Sequence, residues 1–269
     1  MKNSILLKLF GFRATLIHGD TLTLDRWLWL KTYLPNTNNN ETLLDVGCGN
    51  GSFVIGASLR GYNSIGLSWD KDNYEKGIKR ASICKAKLAS FKIANVRDLN
   101  EQKQIGNFDV IINTENIEHI LNDRKLFNDM YNLLKPGGQL LLTTPYLYYQ
   151  PISISDKGPF AKIENGEHVR RGYNKEMLKE LCYMTGFKVE NISFCSGIIS
   201  QKLCRIQRLI TYNSYGKPKK LKKTWFLFGW SSILVFRILP PIFDKLMTGL
   251  FKKPYYSICL VAYKPRFTK

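Results

Sequence analysis

The sequence of 269 residues lacks several features that would assign it to a specialised class of protein. It contains no apolar run of about 18–20 residues, so we expect no simple membrane-spanning helix. No small-residue cleavage site follows the short apolar stretch near the N-terminus, so no secretory signal is expected. None of the six cysteines forms a C-x-x-C pair, which favours reduced thiols in the cytoplasm over disulfides or zinc. Length and composition instead predict one large α/β domain with an insertion.

Acidic residues are also scarce, and most of the resulting positive charge lies near the C-terminus. The chain has 40 Lys and Arg against 21 Asp and Glu, for a formal charge of +19. Residues 201–269 carry 15 Lys or Arg and one acid, Asp244, for a net +14, which leaves +5 for the first 200 residues. A partner attracted by this charge would contact the last quarter of the chain, and a solvated basic surface without a partner is the alternative.

Short apolar runs alternate with amphipathic stretches over residues 42–144, which is typical of successive βαβ units and a parallel sheet. The predicted strands are Leu43–Val46, Ser64–Ser68, Phe91–Ala94, Phe108–Ile112, Gln139–Thr143, Val189–Phe194 and Tyr256–Tyr263. A helix over about 52–60 is expected to end at Gly61, and a helix capped by Asn174 is expected to end at Gly186. The segment Lys135–Gly138 (KPGG) is expected to form the turn between a helix and the fifth strand.

A glycine loop follows the first predicted strand and begins two residues after Asp45. Loops of this kind hold anionic groups on backbone N–H groups at a helix N-terminus. The glycines are spaced G-x-G-x-G, and Ser52 stands where the third glycine of a dinucleotide loop would lie. A carboxylate beside the loop repels a pyrophosphate and attracts an ammonium or sulfonium group. The sequence therefore predicts a ligand that is cationic or zwitterionic near Asp45.

The stretch LLDVGCGNG (residues 43–51) resembles the first motif of the class I S-adenosylmethionine (SAM)-dependent methyltransferases, including quinone-pathway and other small-molecule enzymes. Four further regions follow in order, among them FDVIINTENIEH (108–119) and LKPGGQLLLTT (134–144). The resemblance covers about residues 40–195 and 256–263. It implies an α/β, Rossmann-like sheet of seven strands, mostly parallel with a reversed last strand, and helices on both faces.

The resemblance also implies roles for individual residues that bind SAM. Gly47, Gly49 and Gly51 let the backbone approach the methionine part, while Asp45 orients the loop and the ammonium end. Asp70 is expected to hold the ribose hydroxyls, although in the family the acid more often stands at the place of Ser68; its alternative role is to cap the following helix. The remaining expected contacts are the adenine contacts Asn95 and Val96, and Thr114 near the methyl group.

A hydroxyl acceptor needs a general base, and the candidates are Glu115, Glu118, His119 and His168. We predict His119, Glu115 and His168 as the catalytic residues and expect no metal. The loop that carries His168 is expected to overhang the acceptor, since ligands bind beyond the carboxyl ends of parallel strands. Its histidine, its two arginines and Tyr173 could bind an anionic or hydroxylated acceptor. The alternative is a helix-entry loop in which Arg170 and Arg171 are solvated.

These observations divide the chain into four regions and predict its function. We expect an N-terminal helical lid (1–40), a SAM-binding core (41–200), a basic and hydrophobic insertion (201–255), and the final strand with a tail (256–269). The asparagine-proline-proline-aromatic motif of enzymes that methylate adenine amino groups is absent after the fourth strand. O-methylation of a small or lipid-linked hydroxylated acceptor is therefore preferred, with C- and N-methylation open.

The insertion contains a lysine cluster followed by a segment rich in Trp and Phe, within residues 217–247. This order suits contact with an anionic membrane surface, which would place a cytoplasmic protein at the inner face of a membrane. A soluble cap over the acceptor is the alternative. RNA binding is less favoured, because basic and aromatic residues stand in separate blocks. The competing functions are an RNA methyltransferase and a non-catalytic SAM-binding scaffold at the membrane.

Overall fold

A computed structural model describes residues 3–17, 22–152, 155–211, 235, 238–246 and 255–266 of the chain. Its centre is a seven-stranded sheet in the order β3-β2-β1-β4-β5-β7-β6. The strands are β1 Thr42–Val46, β2 Asn63–Ser68, β3 Ala89–Ile93, β4 Phe108–Thr114, β5 Leu134–Pro145, β6 Lys188–Cys195 and β7 Ser257–Tyr263. β7 runs antiparallel to β5 and β6, and the other neighbours are parallel. The predicted fold class is confirmed.

Helices cover the sheet, and among the described elements the longest connection from a strand to an α-helix follows β5. They are α1 Asn3–Phe10, α2 Phe12–Ile17, α3 Thr23–Tyr33, α4 Ser52–Ser58, α5 Lys71–Ile83, α6 Asp123–Leu133, α7 Lys175–Thr185, α8 Ile198–Thr211 and α9 Leu239–Leu246. Three 3₁₀ segments span Val96–Ile105, Ile117–His119 and Ser155–Lys157. Asn174 caps α7 by accepting a bond from the Met177 N–H, and Gly186 ends it in the left-handed conformation, as predicted.

The core lies on both faces of the sheet, because successive side chains of a strand point to opposite sides. Leu44 and Val46 of β1 are buried in one cluster, which includes Phe127 of α6. Leu43 is buried in the other cluster, with Trp27 of α3 and Phe53 of α4. Burial on both faces explains why these strands are nearly continuous apolar runs.

The KPGG segment is part of strand β5, and the prediction that it forms a turn is wrong. The helix ends at Leu133, as expected, and the strand that starts at Leu134 is irregular in this segment. Gly137 has a φ of +83°, and the register with β4 shifts between Phe108 and Val110. Gly137 N–H donates to the Lys264 carbonyl at 2.8 Å, and Lys264 N–H donates to the Gly138 carbonyl at 2.9 Å. Lys264, which follows β7, therefore pairs with glycines that lie at least 126 positions earlier in the chain. A local sequence pattern does not reveal such a pairing.

Much of the predicted insertion lies outside the described residues. This includes the lysine cluster and the segment rich in Trp and Phe. The described parts are α8 and α9, which contact each other, and α9 begins with two prolines in its first turn, where proline is tolerated. None of the helices within the described ranges is both long and apolar enough to cross a bilayer. The four-region division of the chain stays a prediction.

Gly61 ends the first α/β unit at a point where the backbone approaches another segment closely. Its φ is +99°, and a Cβ added there would lie 1.8 Å from the Thr37 carbonyl oxygen. Gly106 has almost the same φ, +100°, but a Cβ there would meet no atom within 4 Å. A substitution at Gly106 therefore measures the cost of backbone strain without a clash, and the same substitution at Gly61 adds the cost of a steric clash.

We predict that Gly61→Ala lowers the free energy of unfolding by about 3 kcal/mol or more, because the Thr37 segment must move. Gly106→Ala should lower it by about 1–2 kcal/mol, since only the backbone conformation is strained. Denaturant unfolding of both variants measures the difference. Equal losses would show that the contact with Thr37 contributes nothing.

Candidate active site

Asp45 is a buried carboxylate at the carboxyl end of the central strand β1. It lies between Gly66 of β2 and Ile112 of β4 in the sheet register. Its side chain is fully buried, and neither oxygen has a hydrogen-bond partner among the described residues. Desolvation raises the pKa of Asp45 from 3.8 to about 8. An ionised carboxylate here needs a cationic partner, and an ammonium or sulfonium group would supply one.

The glycine loop beside Asp45 brings three glycines with positive φ together at the start of α4. A Cβ on Gly47 would lie 2.6 Å from the Asn116 side chain, and a Cβ on Gly51 would lie 2.5 Å from the Phe91 ring. These two glycines permit close packing. A Cβ on Gly49 would meet nothing within 4 Å, so that position borders space a ligand can enter. The loop and the orphaned Asp45 carboxylate together fit the methionine part of SAM.

Asp70 and Asn95 follow β2 and β3, and both cap the segments that come after them. Asp70 Oδ1 accepts a bond from the Asn73 N–H at 2.6 Å, which caps α5. Asn95 Oδ1 accepts from Arg97, at 3.1 Å from the backbone N and 2.8 Å from Nε. Capping orients the Asp70 carboxylate at the end of its strand, and its ribose role stays a prediction. The adenine roles of Asn95 and Val96 also stay predictions, and Asn95 would have to share its oxygen.

Glu115 follows Thr114 at the end of β4 and is held by three other elements. Its Oε2 pairs with Nη2 of Arg26 at 3.2 Å, and both side chains are largely buried. Its Oε1 accepts from the hydroxyls of Thr143 at 3.1 Å and Ser257 at 2.9 Å. Because both oxygens are engaged, Glu115 is placed to anchor α3 to the sheet more readily than to remove a proton.

Glu118, His119 and His168 form a second group beyond β4. The His119 and His168 rings are perpendicular, with centroids 4.7 Å apart, and His119 Nε2 lies 3.9 Å from Glu118 Oε1. Glu118 is buried and its Oε2 accepts from the Thr144 hydroxyl at 3.0 Å. Burial, and then the charge of Glu115, raise the pKa of Glu118 well above 4.5, which favours the protonated form of this carboxyl.

Burial lowers the pKa of His119 below 6.5, and the nearby backbone of Glu167 and Gly166 acts in the opposite direction. The ring is therefore neutral at pH 7, and its buried Nδ1 has no hydrogen-bond partner within the described part of the chain. The atoms that Glu118, His119 and His168 could offer to a cation lie within 4.8 Å of one another. The expectation that no metal is involved stays a prediction.

The loop that carries His168 is tied to the ends of β4 and β5. Val169 N–H donates to the Glu118 carbonyl at 2.9 Å, and Tyr173 N–H donates to the Pro145 carbonyl at 2.9 Å. Arg170 forms an ion pair with Asp123 and donates to the Tyr173 hydroxyl, so the alternative of a solvated Arg170 is wrong. A loop anchored at both strands holds His168 over the site.

The structure brings most of the predicted residues together and adds others that the sequence analysis missed. Arg26 was missed because its partner is 89 positions away, although a cation within the apolar helix TLDRWLWLKTY is an unusual placement. Asn116 was missed because nothing local shows that it fills the space beside Gly47. Asn113 of β4 donates from its side chain to the Val46 carbonyl at 3.0 Å and so joins β4 to the end of β1, where the glycine loop begins.

We predict opposite effects of Asp45→Asn on stability and on SAM affinity. Between pH 4 and pH 8 the unfolded chain has lost the Asp45 proton and the folded protein keeps it, so stability of the unliganded wild type falls as pH rises. The variant should gain roughly 2–4 kcal/mol relative to wild type from pH 5 to pH 8. Its affinity for SAM should fall about tenfold or more, through the lost charged partner.

Urea unfolding at the two pH values and calorimetric titration with SAM measure these effects. Asp72→Asn is the control, because it removes a carboxylate that is exposed on the first turn of α5. An Asp45→Asn variant that binds SAM as tightly as wild type would contradict the role of Asp45.

Comparison with known proteins agrees with this arrangement. A family model described as a methyltransferase domain matches residues 24–192. The ubiquinone biosynthesis O-methyltransferase of Dechloromonas aromatica is 32% identical over 105 residues, which are 39% of this chain and 44% of that protein. The human mitochondrial ubiquinone biosynthesis O-methyltransferase is 28% identical over 178 residues, 61% of this chain and 47% of that protein. The chain thus spans less than half the length of these curated relatives.

A solved structure has the same fold at low sequence identity. Phosphoethanolamine N-methyltransferase 2 of Haemonchus contortus, in complex with phosphomonomethylethanolamine and S-adenosylhomocysteine, superposes with a TM-score of 0.61 and 19% identity. The match covers 97% of this chain and 59% of that one. The family model covers more than half of the chain, and the sheet order and the glycine loop agree with it. The chain therefore belongs to the family of SAM-dependent methyltransferase domains.

Proposed function

We propose that this protein transfers a methyl group from SAM to a hydroxyl of a small acceptor, with His119 as the general base. The observation that carries the proposal is the contact between a half-buried, neutral His119 and His168 beyond the end of β4. A hydroxyl must lose its proton as it attacks, and a neutral imidazole can accept that proton. An acceptor that is already a strong nucleophile would not need such a group.

The cofactor side of the site is supplied by β1, β2 and β3. Asp45 and the Gly49 backbone would hold the methionine part of SAM, and Asp70 the ribose. Bound SAM supplies an electrophilic methyl group attached to a sulfonium. Exclusion of water by the anchored loop at 166–173 keeps the acceptor as the only nucleophile near that methyl group.

The acceptor side is supplied by the segment after β4 and the loop after β5. His119 takes the hydroxyl proton at Nδ1, the nitrogen that has no partner among the described residues. His168 supports the ring edge-on, and burial of Glu118 disfavours a negative charge beside His119. Arg26 engages the Glu115 carboxylate by pairing with it.

The relatives support a hydroxyl acceptor. Most of the relatives matched at 28–34% identity over 102–115 residues are named ubiquinone biosynthesis O-methyltransferases. One in the same range, from Zea mays, is named phosphoethanolamine N-methyltransferase 1. The more frequent name favours oxygen over nitrogen or carbon as the methylated atom. No finding supports an RNA methyltransferase or a non-catalytic scaffold.

A lipid-linked acceptor and contact with an anionic membrane are further parts of the proposal, as is a cytoplasmic location at the inner face of a membrane. They rest on the sequence of residues 217–247, of which the structure describes only 235 and 238–246. The exposed Ile242, Phe243 and Leu246 side chains of α9 are compatible with such a contact.

We predict that the protein transfers the labelled methyl group of SAM to catechol, and that His119→Gln lowers kcat about 10²–10⁴-fold. In the wild type, kcat should fall as pH drops through a pKa below 6.5, because protonation of His119 removes the base. Scintillation counting of the product over pH 5–9 measures both effects. Glu118→Gln is the matched control, because an amide imitates the protonated carboxyl, and it should leave the pH profile unchanged.

The same assay tests the general-base role against metal chemistry. Undiminished turnover in the presence of EDTA supports His119 as a base. Turnover that EDTA abolishes and added Mg²⁺ restores would assign the histidines to a metal site and contradict the proposed role. Label found on a nitrogen or on RNA would contradict O-methylation.

We predict that the protein sediments with vesicles of anionic phospholipid and that deletion of residues 217–247 abolishes this binding. A second variant replaces five lysines by Gln and keeps the hydrophobic segment; these are Lys217, Lys219, Lys220, Lys222 and Lys223. It should bind anionic vesicles more weakly and show less dependence on salt. Undiminished sedimentation of both variants would contradict membrane contact through this segment.

A further inference from the structure

Arg171 lies in the loop after β5, on the acceptor side of the proposed site. The backbone is fixed on both sides of it, by the bond from Val169 to Glu118 and the bond from Tyr173 to Pro145. It is three residues after His168, which contacts His119. The position of its backbone is thus set by the ends of β4 and β5.

The guanidinium of Arg171 is only partly satisfied by the protein. Its Nη2 donates to the Tyr149 carbonyl at 3.1 Å, and its Cζ lies 5.2 Å from the centroid of the Tyr149 ring. Its Nε is buried and has no hydrogen-bond acceptor in the described ranges. No carboxylate of those residues forms an ion pair with Arg171, and Asp156 on the same loop accepts from the Ile152 N–H instead.

Arg170, the preceding residue, shows what a structural arginine of this loop does. It pairs with Asp123, and its Nη2 donates to the carbonyls of Ile120 at 2.8 Å and Leu121 at 2.9 Å. It therefore joins the loop to the segment before α6. The two neighbouring arginines thus differ. Arg170 forms an ion pair with a carboxylate, whereas Arg171 forms none with any of the described residues.

A guanidinium stays charged in proteins and presents donors in a planar fork that matches a carboxylate or a phosphate. A buried donor without an acceptor costs about 1–3 kcal/mol, which a ligand oxygen would offset. We propose that Arg171 binds an anionic oxygen group, a carboxylate or a phosphate ester, carried by the methyl acceptor. This inference rests on the proposed function, and it narrows the acceptor to a hydroxylated molecule with an anionic group.

The anion belongs to the acceptor and not to SAM. The sheet order places β5, which precedes Arg171, two strands from β1, whose glycine loop faces the methionine part. Tyr149, under the guanidinium, lies within the electrostatic reach of Glu118 and Glu115, both of which follow β4. The anion site and His119 would therefore contact the same small molecule.

The test compares two catechol compounds that differ in one substituent, which is a charged carboxylate in the first and a neutral amide in the second. They are 3,4-dihydroxybenzoate and 3,4-dihydroxybenzamide, titrated by calorimetry into the full chain saturated with S-adenosylhomocysteine. The wild type should bind the benzoate at least about tenfold more tightly. Arg171→Gln should remove this preference and leave SAM affinity unchanged, while Arg171→Lys should keep part of it. Lys179→Gln removes an exposed charge from α7 and should behave as wild type.

Because the cofactor product cannot donate a methyl group, binding is measured independently of turnover. Tighter binding of the benzoate without methylation of either compound would support the anion site and contradict the proposed function. Methylation with equal binding of both compounds would support the proposed function and contradict the anion site. Displacement of the benzoate by phenyl phosphate more than by benzoic acid would identify a phosphate ester, and the opposite order a carboxylate. The proposal would be overturned if Arg171→Gln kept the preference of the wild type, or if the wild type bound neither compound. A loss of SAM affinity in Arg171→Gln would also overturn it.

Discussion

The cofactor side of the site is arranged around a carboxylate that the protein buries and that has no hydrogen-bond partner among the residues the structure describes. Asp45 stands in the central strand, and the sheet on both sides of it keeps water away. Burial raises its pKa to about 8, which means that the folded chain holds this group in an unfavourable state. Strain of this kind is retained at functional sites, where a ligand relieves it. The glycine loop, α4 and the packing of Asn116 and Phe91 are arranged around that position.

A second constraint connects the N-terminal helices to the chemistry. The ion pair between Arg26 and Glu115 joins α3 to the end of β4, and Ser257 joins the same carboxylate to β7. The charge of Glu115 still raises the pKa of the buried Glu118, although Arg26 forms its ion pair with Glu115. One short segment thus supplies both an anchor for the fold and the imidazole of His119.

The sequence predicted the features that arise from local patterns. Alternation of apolar runs predicted the strands, and Asn174 and Gly186 predicted both ends of α7, because a cap satisfies the backbone of its own helix. The glycine loop was predicted by its spacing beside Asp45. The KPGG segment was not, because its partner strand comes from the C-terminus. Arg26 was not assigned a role, and Arg170 and Arg171 were given only a joint one, since the significance of each arginine depends on which carboxylates lie near it.

By itself, the sequence determined the order of strands and helices, the glycine loop and the set of residues that could act on an acceptor. These follow from periodicity and spacing, which act between near neighbours in the chain. Only the tertiary structure decided which of those residues form ion pairs, which are buried and which contact one another. It paired Glu115 with Arg26, buried Glu118, placed His119 against His168 and, within the described ranges, left Arg171 without a carboxylate. Charge, burial and pKa depend on contacts between distant segments, and those contacts exist only once the chain has folded.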